Sequence, residues 1–294
     1  MNHSELYVVT GATGRTGMAT ANALLNKGKR VRVVLRTAQQ QQEWQQLGAE
    51  VAVADYADPA ALCQAFAGAS AVYIVSPPQY DSEHLFAQAQ TMADDIANAL
   101  LTAQVQKVVA LSSIGAEQPE NTGWIFMNHR LEKTLAATGI DVTFLRAAYF
   151  MENWAPLVQL AQQQGQLPSF LAPIERRIPM IATADIGALA ADAMCEHWQG
   201  VRILDLQGPE PYSPQDLASS LSHTLDQALP AAAIAESDWS AAMAGQGFSA
   251  AAIDGFCEMT RGLNSGHIAF ADNASHERRS GEITLASMVS TLLA

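Results

Sequence analysis

The sequence predicts an α/β fold in which a doubly wound parallel sheet is covered by helices on both faces. Short apolar runs alternate with helical patterns through the first half of the 294-residue chain. A glycine-rich segment at residues 11–17 joins the first apolar run to the first helical pattern. A valine-rich run follows, so these segments form a β-α-β unit of about 30 residues.

Each element of this first unit has its own signal. Residues 6–10 are a mostly apolar run, typical of a buried parallel strand. Residues 18–25 are rich in Ala, Leu and Met, which favour a helix, and Gly28 follows as a terminator. Residues 30–36 contain valines between arginines, which predicts the second strand.

The alternation of strands and helices continues to residue 146. Asp58 and Pro59 are a typical capping residue and first residue of a helix, and Gly139 ends a later helix. The predicted strands are residues 50–54, 71–75, 107–112 and 141–146, and the predicted helices are residues 60–66, 82–103 and 124–137. Right-handed crossovers between them give one parallel sheet.

The pattern changes after the sixth strand, where aromatic, proline and glutamine residues replace the alternation. A short strand is predicted at residues 178–181, an alanine-rich helix from Asp185, and a further strand at residues 201–206. Ser213 and Pro214 then start a helix, and the rest of the chain is predicted to be mostly helical.

These patterns predict two domains. Residues 1–150 form a nucleotide-binding domain, and residues 151–294 form a smaller, mostly helical substrate domain. Residues 183–207 of the second domain cross back to the sheet of the first. We expect the substrate in the cleft between the two.

The glycine-rich segment is typical of a dinucleotide site. Gly11 permits the tight turn, Gly14 lets a phosphate approach the backbone, and Gly17 lets the helix pack against the strand. Bare N–H groups and the positive end of the helix then face a pyrophosphate. The alternative is a structural turn without a ligand. The predicted phosphate-binding residues are Gly11, Thr13, Gly14, Arg15, Thr16 and Gly17.

The end of the second strand selects the cofactor. A site for NAD would place an acidic residue there, whereas this chain has Arg36. Arginine pairs with the 2′-phosphate of NADP(H), which a carboxylate would repel. The local charge agrees, since residues 1–40 carry six Lys or Arg and one acidic residue in a chain of net charge −13. The alternative is a solvated Arg36 with NAD held by backbone groups.

The other candidate ligands follow predicted strands, because a doubly wound sheet binds its ligand at the carboxyl ends of the strands. The third strand is followed by Asp55 and Tyr56, the fourth by Ser76 and Pro77, and the fifth by Ser112. The first pair is expected near the adenine and the second near the ribose and nicotinamide. Each residue has a structural alternative, such as closing a turn or hydrogen-bonding the backbone.

No tyrosine of this chain is followed by a lysine four residues later, so the tyrosine–lysine acid of short-chain reductases is not encoded at that spacing. His129 is the group on its predicted helix that titrates near neutral pH. Two roles are open for the aromatic residues Tyr149, Phe150 and Trp154: stacking on a flat substrate, or packing in the hydrophobic core. We take His129 and Tyr149 as candidate catalytic residues, with a structural role as the alternative for each. No histidine or cysteine pair has metal-ligand spacing.

Composition argues against several classes of protein. An acidic chain without a basic cluster beyond residue 40 is a poor candidate for direct nucleic-acid binding. No apolar run approaches the ~18 residues that a membrane span needs, and no leader is evident at the N-terminus. The three widely spaced cysteines fit a reducing cytoplasm, which is the expected location.

Together these residues resemble the NmrA-like family of atypical short-chain dehydrogenases. The motifs that carry the resemblance are Gly11-Ala12-Thr13-Gly14-Arg15-Thr16-Gly17, the Arg36 that ends strand two, Glu132-Lys133-Thr134-Leu135 leading to Thr138-Gly139-Ile140, Leu145-Arg146 before Phe150-Met151-Glu152-Asn153, and Gly208-Pro209-Glu210. The resemblance covers roughly residues 6–220. It implies a Rossmann-type domain, a small C-terminal domain and NADP(H) as cofactor. Some reductases of the family carry a lysine where this chain has Asn128-His129.

The family contains quinone oxidoreductases and also regulators that bind the cofactor without turnover, so the resemblance implies two functions. The first is an NADPH-dependent oxidoreductase that transfers a hydride to a quinone or similar conjugated molecule, a substrate that needs little help from a protein acid. The second is a non-catalytic NADP(H) sensor that binds a protein partner. Whether the chain forms a homodimer is open at this point.

Overall fold

The computed structural model describes residues 5–293 and confirms the predicted α/β, Rossmann-type fold. Within these residues the strands are β1 (Leu6–Val9), β2 (Arg30–Leu35), β3 (Glu50–Val53), β4 (Ala71–Ile74), β5 (Lys107–Ser113), β6 (Asp141–Ala147), β7 (Tyr149–Phe150), β8 (Leu167–Ser169), β9 (Met180–Ile181), β10 (Val201–Gln207), β11 (Ala231–Ala233) and β12 (Glu277–Ser280). Eight of them form one parallel sheet in the order β12-β10-β6-β5-β4-β1-β2-β3. The order reverses between β1 and β4, which is where such sheets bind their ligand.

Helices cover both faces of this sheet. In the same range they are α1 (Arg15–Asn26), α2 (Gln41–Gln46), α3 (Pro59–Phe66), α4 (Leu85–Thr102), α5 (Phe126–Ala136), α6 (Ala155–Gln164), α7 (Thr183–Cys195), α8 (Pro214–Leu225), α9 (Trp239–Met243), α10 (Ala250–Ser265) and α11 (Leu285–Leu293). Along residues 5–293 we find no helix that combines the length and the hydropathy of a membrane span.

The six strands predicted before residue 147 are all present, each with its carboxyl end displaced by one residue. Helix α1 begins three residues earlier than predicted, because Gly14 already has the extended backbone of an N-cap. Helix α2 was not predicted. Its sequence is rich in glutamine and it buries Trp44 alone, so it lacks an apolar periodicity.

The buried strand β1 contributes side chains to the core layers on both faces of the sheet. Tyr7 and Val9 face the layer that α1 and α7 cover, whereas Leu6 and Val8 face the layer that α3, α4 and α5 cover. A strand buried on both faces has no polar alternation, which is why this run is almost continuously apolar.

The segment after residue 182 returns to the sheet. Helix α7 packs on α1 so closely that a Cβ on Gly187 would overlap Ala19. Strand β10 pairs in parallel with β6, with Val201 opposite Val142. The proposed domain boundary at residue 150 stays a prediction.

Strand β12 extends the sheet beyond β10 and was not predicted. Three of its four residues are charged and the fourth is a serine, and the strand buries little, so it has no hydrophobic pattern of its own. Ion pairs attach it instead: Arg279 donates to both carboxylate oxygens of Glu196 at 2.8 and 3.0 Å. A polar, short edge strand also discourages pairing with another chain.

The third core lies among the C-terminal elements. Two short parallel pairs, β7 with β9 and β8 with β11, tie its segments together. The predicted start of α8 is confirmed, because Ser213 and Asp216 form a reciprocal capping box. This core closes the space above the carboxyl ends of β4, β5 and β6.

Candidate functional site

The glycine corner, residues 11–17, has the geometry that the sequence predicts. Gly11 has φ +63°, a left-handed conformation that favours glycine, and its carbonyl accepts the Gly14 N–H at 2.9 Å. A Cβ on Gly17 would overlap that same carbonyl, so α1 can approach β1 only with glycine there. Helix and strand therefore approach each other closely where Gly11 and Gly17 carry no side chain.

The N-terminus of α1 is open at this corner. Within the described residues 5–293, no side chain caps its first N–H groups, which lack partners inside the helix. Thr13 and Arg15 are exposed beside it, and Thr16 is buried in the first turn. Uncapped N–H groups at the positive end of a helix are a binding site for phosphate, so the corner fits the pyrophosphate of a dinucleotide.

Arg36 lies one residue beyond β2 and is exposed. Its neighbours Arg30 and Arg32 pair with Glu50 at 2.6 and 2.9 Å. Between residues 5 and 293, Arg36 has no ion pair or hydrogen bond of its own. A guanidinium left unpaired at this strand end fits a 2′-phosphate.

Asp55 and Tyr56 both have structural partners. The Asp55 carboxylate accepts the Ala57 N–H at 2.9 Å and so closes a turn. The Tyr56 hydroxyl donates to the Val75 carbonyl at 2.6 Å, and burial raises its pKa. Contacts from these residues to an adenine stay a prediction.

A cavity of about 720 Å³ lies above the carboxyl ends of β4, β5 and β6. Five of the predicted site residues line it together: Arg15, Ser76, Pro77, Ser112 and Tyr149. Because Arg15 belongs to the glycine corner, the cavity adjoins that corner. The Ser76 hydroxyl donates to the Met92 sulfur at 3.3 Å, so it offers lone pairs rather than a proton to the cavity.

Aromatic rings make up much of the cavity wall. They are Tyr80, Trp124, Tyr149, Phe150, Trp154, Phe170, Phe248 and Phe256. Tyr80 and Trp124 stack with centroids 4.0 Å apart, and Phe248 meets the edge of Tyr80 at 5.7 Å. Such a wall suits a flat, conjugated molecule.

The charged residues that line the cavity are Arg15 and Glu152. Both lie toward the glycine corner, and the Arg15 guanidinium donates to the Glu152 carbonyl at 3.5 Å. The rest of the wall therefore offers no ionic partner to a charged substrate. Sequence reasoning missed the aromatic residues after position 160, since they come from separate segments without a shared motif.

Sequence reasoning also missed a group of buried charged residues that adjoins the cavity. Glu132 of α5 accepts Arg146 Nε at 3.0 Å and Nη2 at 2.7 Å, and it accepts the Ser112 hydroxyl at 2.5 Å. Glu117 pairs with the remaining Arg146 nitrogen at 2.9 Å. Glu132 and Arg146 stood within motifs of the family resemblance, and their residue types alone did not indicate burial.

His129 does not line the cavity, although its neighbour Asn128 does. Its Nδ1 lies 2.9 Å from the Ala116 carbonyl, and its ring stacks on Phe126. The structure does not bring His129 to Tyr149, and its catalytic role stays a prediction.

Tyr149 faces the cavity beside Trp154. Burial raises the pKa of its hydroxyl to about 12, although a hydrogen bond with Asn153 works in the other direction. Tyr149 is therefore protonated at neutral pH and donates hydrogen bonds better than it donates a proton.

Known proteins resemble this chain along most of its length. An NAD(P)H azoreductase of Xenophilus azovorans is 25% identical over 258 residues, which cover 86% of each chain. Quinone oxidoreductase 2 of Escherichia coli strain K12 is 25% identical over 291 residues, which cover 98% of each chain. A crystal structure of the NADPH-dependent quinone oxidoreductase QOR2 from Escherichia coli, complexed with NADPH, shares the fold. It aligns with 98% of this chain and 100% of its own, with a TM-score of 0.82 and 24% identity.

The model of the NmrA-like family matches residues 3–247, which is well over half of the chain. The resemblance inferred from the motifs is confirmed: this protein belongs to the NmrA-like family.

Proposed function

We propose that this protein is an NADPH-dependent oxidoreductase that reduces a quinone or another flat, conjugated small molecule. One observation carries the proposal: the aromatic cavity adjoins the uncapped glycine corner, and Arg15 belongs to both. A nucleotide held at the corner and a planar molecule held in the cavity are then neighbours. The names of the azoreductase and quinone oxidoreductase relatives support the same reaction class.

The glycine corner and Arg36 would hold NADP(H). The N–H groups of α1 and the Arg15 side chain would bind the pyrophosphate, and Arg36 would pair with the 2′-phosphate. Asp55, Tyr56, Ser76, Pro77 and Ser112 complete the proposed cofactor residues. When bound, the cofactor supplies a hydride.

The residues of the cavity would bind the substrate and exclude water from it. Aromatic side chains stack on the conjugated substrate and orient it. Tyr149 keeps its proton, so it stabilises a developing negative oxygen by a hydrogen bond. A quinone becomes a delocalised phenolate when it accepts a hydride, so this hydrogen bond suffices, whereas a simple ketone would need a strong acid.

NADPH oxidation against a panel of quinones, measured beside NADPH affinity, tests this function. We expect quinone-dependent oxidation and little turnover of simple ketones. Tight NADPH binding without quinone-dependent oxidation would contradict the enzyme and favour the NADP(H) sensor with a protein partner. The Trp124→Ala variant should lower turnover, and Phe270→Ala, outside the cavity wall, is its control.

Partners and location belong to this proposal as well. We propose a small-molecule substrate and no direct nucleic-acid contact, because the chain carries a net charge of −13. A cytoplasmic location agrees with the free thiols Cys63, Cys195 and Cys257. Light scattering with and without NADPH would test for a homodimer.

A further inference from the structure

The hydroxyl of Ser112 has a fixed direction. Ser112 lies at the end of β5 on the cavity wall, and its Oγ donates to Glu132 Oε1 at 2.5 Å. Arg146, opposite Ser112 in the β5–β6 register, donates to both oxygens of the same carboxylate. A carboxylate paired with a guanidinium has no proton to give, so the proton of Ser112 is committed to Glu132.

Burial keeps this arrangement in place. Ser112 is 3% exposed, Arg146 6% and Glu132 8%, so water cannot replace the contacts. A serine oxygen has one proton and two lone pairs. With the proton committed, Ser112 can offer only acceptor capacity to a ligand in the cavity. It is therefore not a donor to a substrate carbonyl.

The sheet order indicates which donor meets this oxygen. Strand β2, which Arg36 directly follows, lies on one side of β1, whereas β4 and β5 lie on the other. A dinucleotide whose pyrophosphate sits at the glycine corner and whose 2′-phosphate meets Arg36 extends its nicotinamide half toward β4 and β5. The nicotinamide ring carries a carboxamide, whose NH₂ group is a hydrogen-bond donor.

We propose that Ser112 accepts a hydrogen bond from the nicotinamide carboxamide N–H, and that Glu132 is the positioning residue that keeps Ser112 an acceptor. The proposal rests on the proposed binding of NADP(H). Ser112 thereby binds the carboxamide of the cofactor and not the substrate.

Binding affinity tests the contact without turnover. The probes are NADPH and its reduced 3-acetylpyridine analogue, in which a methyl ketone replaces the carboxamide and removes the N–H. The wild-type protein should bind NADPH more tightly than the analogue, and Ser112→Ala should reduce that preference about two- to tenfold, the contribution of one neutral hydrogen bond. Ser113→Ala is the matched control, because the Ser113 hydroxyl donates to the Ile114 carbonyl instead. Equal preference in the Ser112→Ala variant and the wild type would overturn the contact.

A second pair of variants tests the positioning role. Glu132→Gln introduces an NH₂ group that can donate to Ser112, so it should lower the preference for NADPH although Ser112 is intact. Glu117→Gln removes a carboxylate from the same guanidinium without touching Ser112 and should keep the preference. If Glu132→Gln folds and retains the wild-type preference, Glu132 does not position Ser112.

The outcomes separate this inference from the proposed function. If the wild-type protein binds neither NADPH nor the analogue, the proposed function fails and the inference fails with it. If it binds both and Ser112→Ala discriminates as the wild type does, the inference alone fails. Should Glu132→Gln not fold, the comparison of Ser112→Ala with Ser113→Ala still tests the contact.

Discussion

The carboxylate of Glu152 accepts hydrogen bonds from both the backbone N–H of Thr183, at 2.8 Å, and its hydroxyl, at 2.6 Å. Thr183 is the first residue of α7. The N-cap residue of this helix makes no capping hydrogen bond with its side chain. Glu152 also lines the cavity, and its carbonyl meets Arg15. One residue therefore joins the cavity wall, the glycine corner and the helix that packs on α1.

Glu152→Ala should lower the free energy of unfolding by about 1–2 kcal/mol, because it removes the cap of a helix N-terminus. Chemical denaturation measures this change. Glu175→Ala is the control, since Glu175 is exposed and has no polar partner among residues 5–293. A loss of similar size in both variants would contradict the capping role.

Arg36→Glu should weaken NADPH binding about ten- to a hundredfold and NADH binding far less, because only NADPH carries the 2′-phosphate. Titration with each nucleotide measures the two affinities. Lys133→Glu changes the net charge equally at an exposed position on α5 and should leave the ratio unchanged. Equal losses for both nucleotides in Arg36→Glu would remove this residue from the 2′-phosphate.

Glu132→Ala should cost about 3–5 kcal/mol of unfolding free energy, because it leaves the buried Arg146 guanidinium without its principal partner. Replacing Glu132 by Leu and Arg146 by Met together should cost much less unfolding free energy than the sum of these two replacements made singly. A double-mutant cycle in urea measures the coupling. Additive single and double changes would show that the two side chains do not act as a pair.

Acid should release β12 from the sheet. Burial opposes ionisation of Glu196, but hydrogen bonds from Arg279 and Arg202 outweigh it and lower the pKa of the carboxyl below its ordinary 4.5. A lowered pKa means that the stabilisation is complete above the ordinary value and is lost as the pH falls through the lowered one. Hydrogen-exchange protection factors of residues 277–280 should therefore decrease as the pH falls below the ordinary value of 4.5.

The Glu196→Gln variant is the control for this pH effect. It removes the titrating group, so the protection of β12 should already be low at neutral pH and should change little on acidification. A drop of the same size in Glu196→Gln would assign the effect to another group.

Phe248→Ala should raise the KM for a two-ring quinone more than for a one-ring quinone. The larger ring system would reach further along the wall that Phe248 forms with Tyr80 and Trp124. Steady-state kinetics with both substrates measures the ratio. Phe270→Ala lies outside the cavity wall and should leave that ratio as in the wild-type protein.

The elements that the sequence predicted well are those with local signals. The β1 run is apolar because both faces of the strand are buried, and Gly11 and Gly17 stand where the backbone itself requires glycine. Strand β12 has no such signal. It is ordered by pairing with β10 and by ion-pair partners such as Glu196, both of which lie far from it in the chain.

The candidate site also has some features with local sequence signals and others without them. The sequence alone determined the fold class, the glycine corner and the position of an arginine directly after β2, because each depends on residues close together in the chain. Only the tertiary structure decided that Ser112 meets a buried carboxylate, that His129 lies off the cavity and that rings from Tyr80 to Phe256 share one wall. Those contacts join residues that are distant in sequence, and no local propensity encodes the space in which they meet.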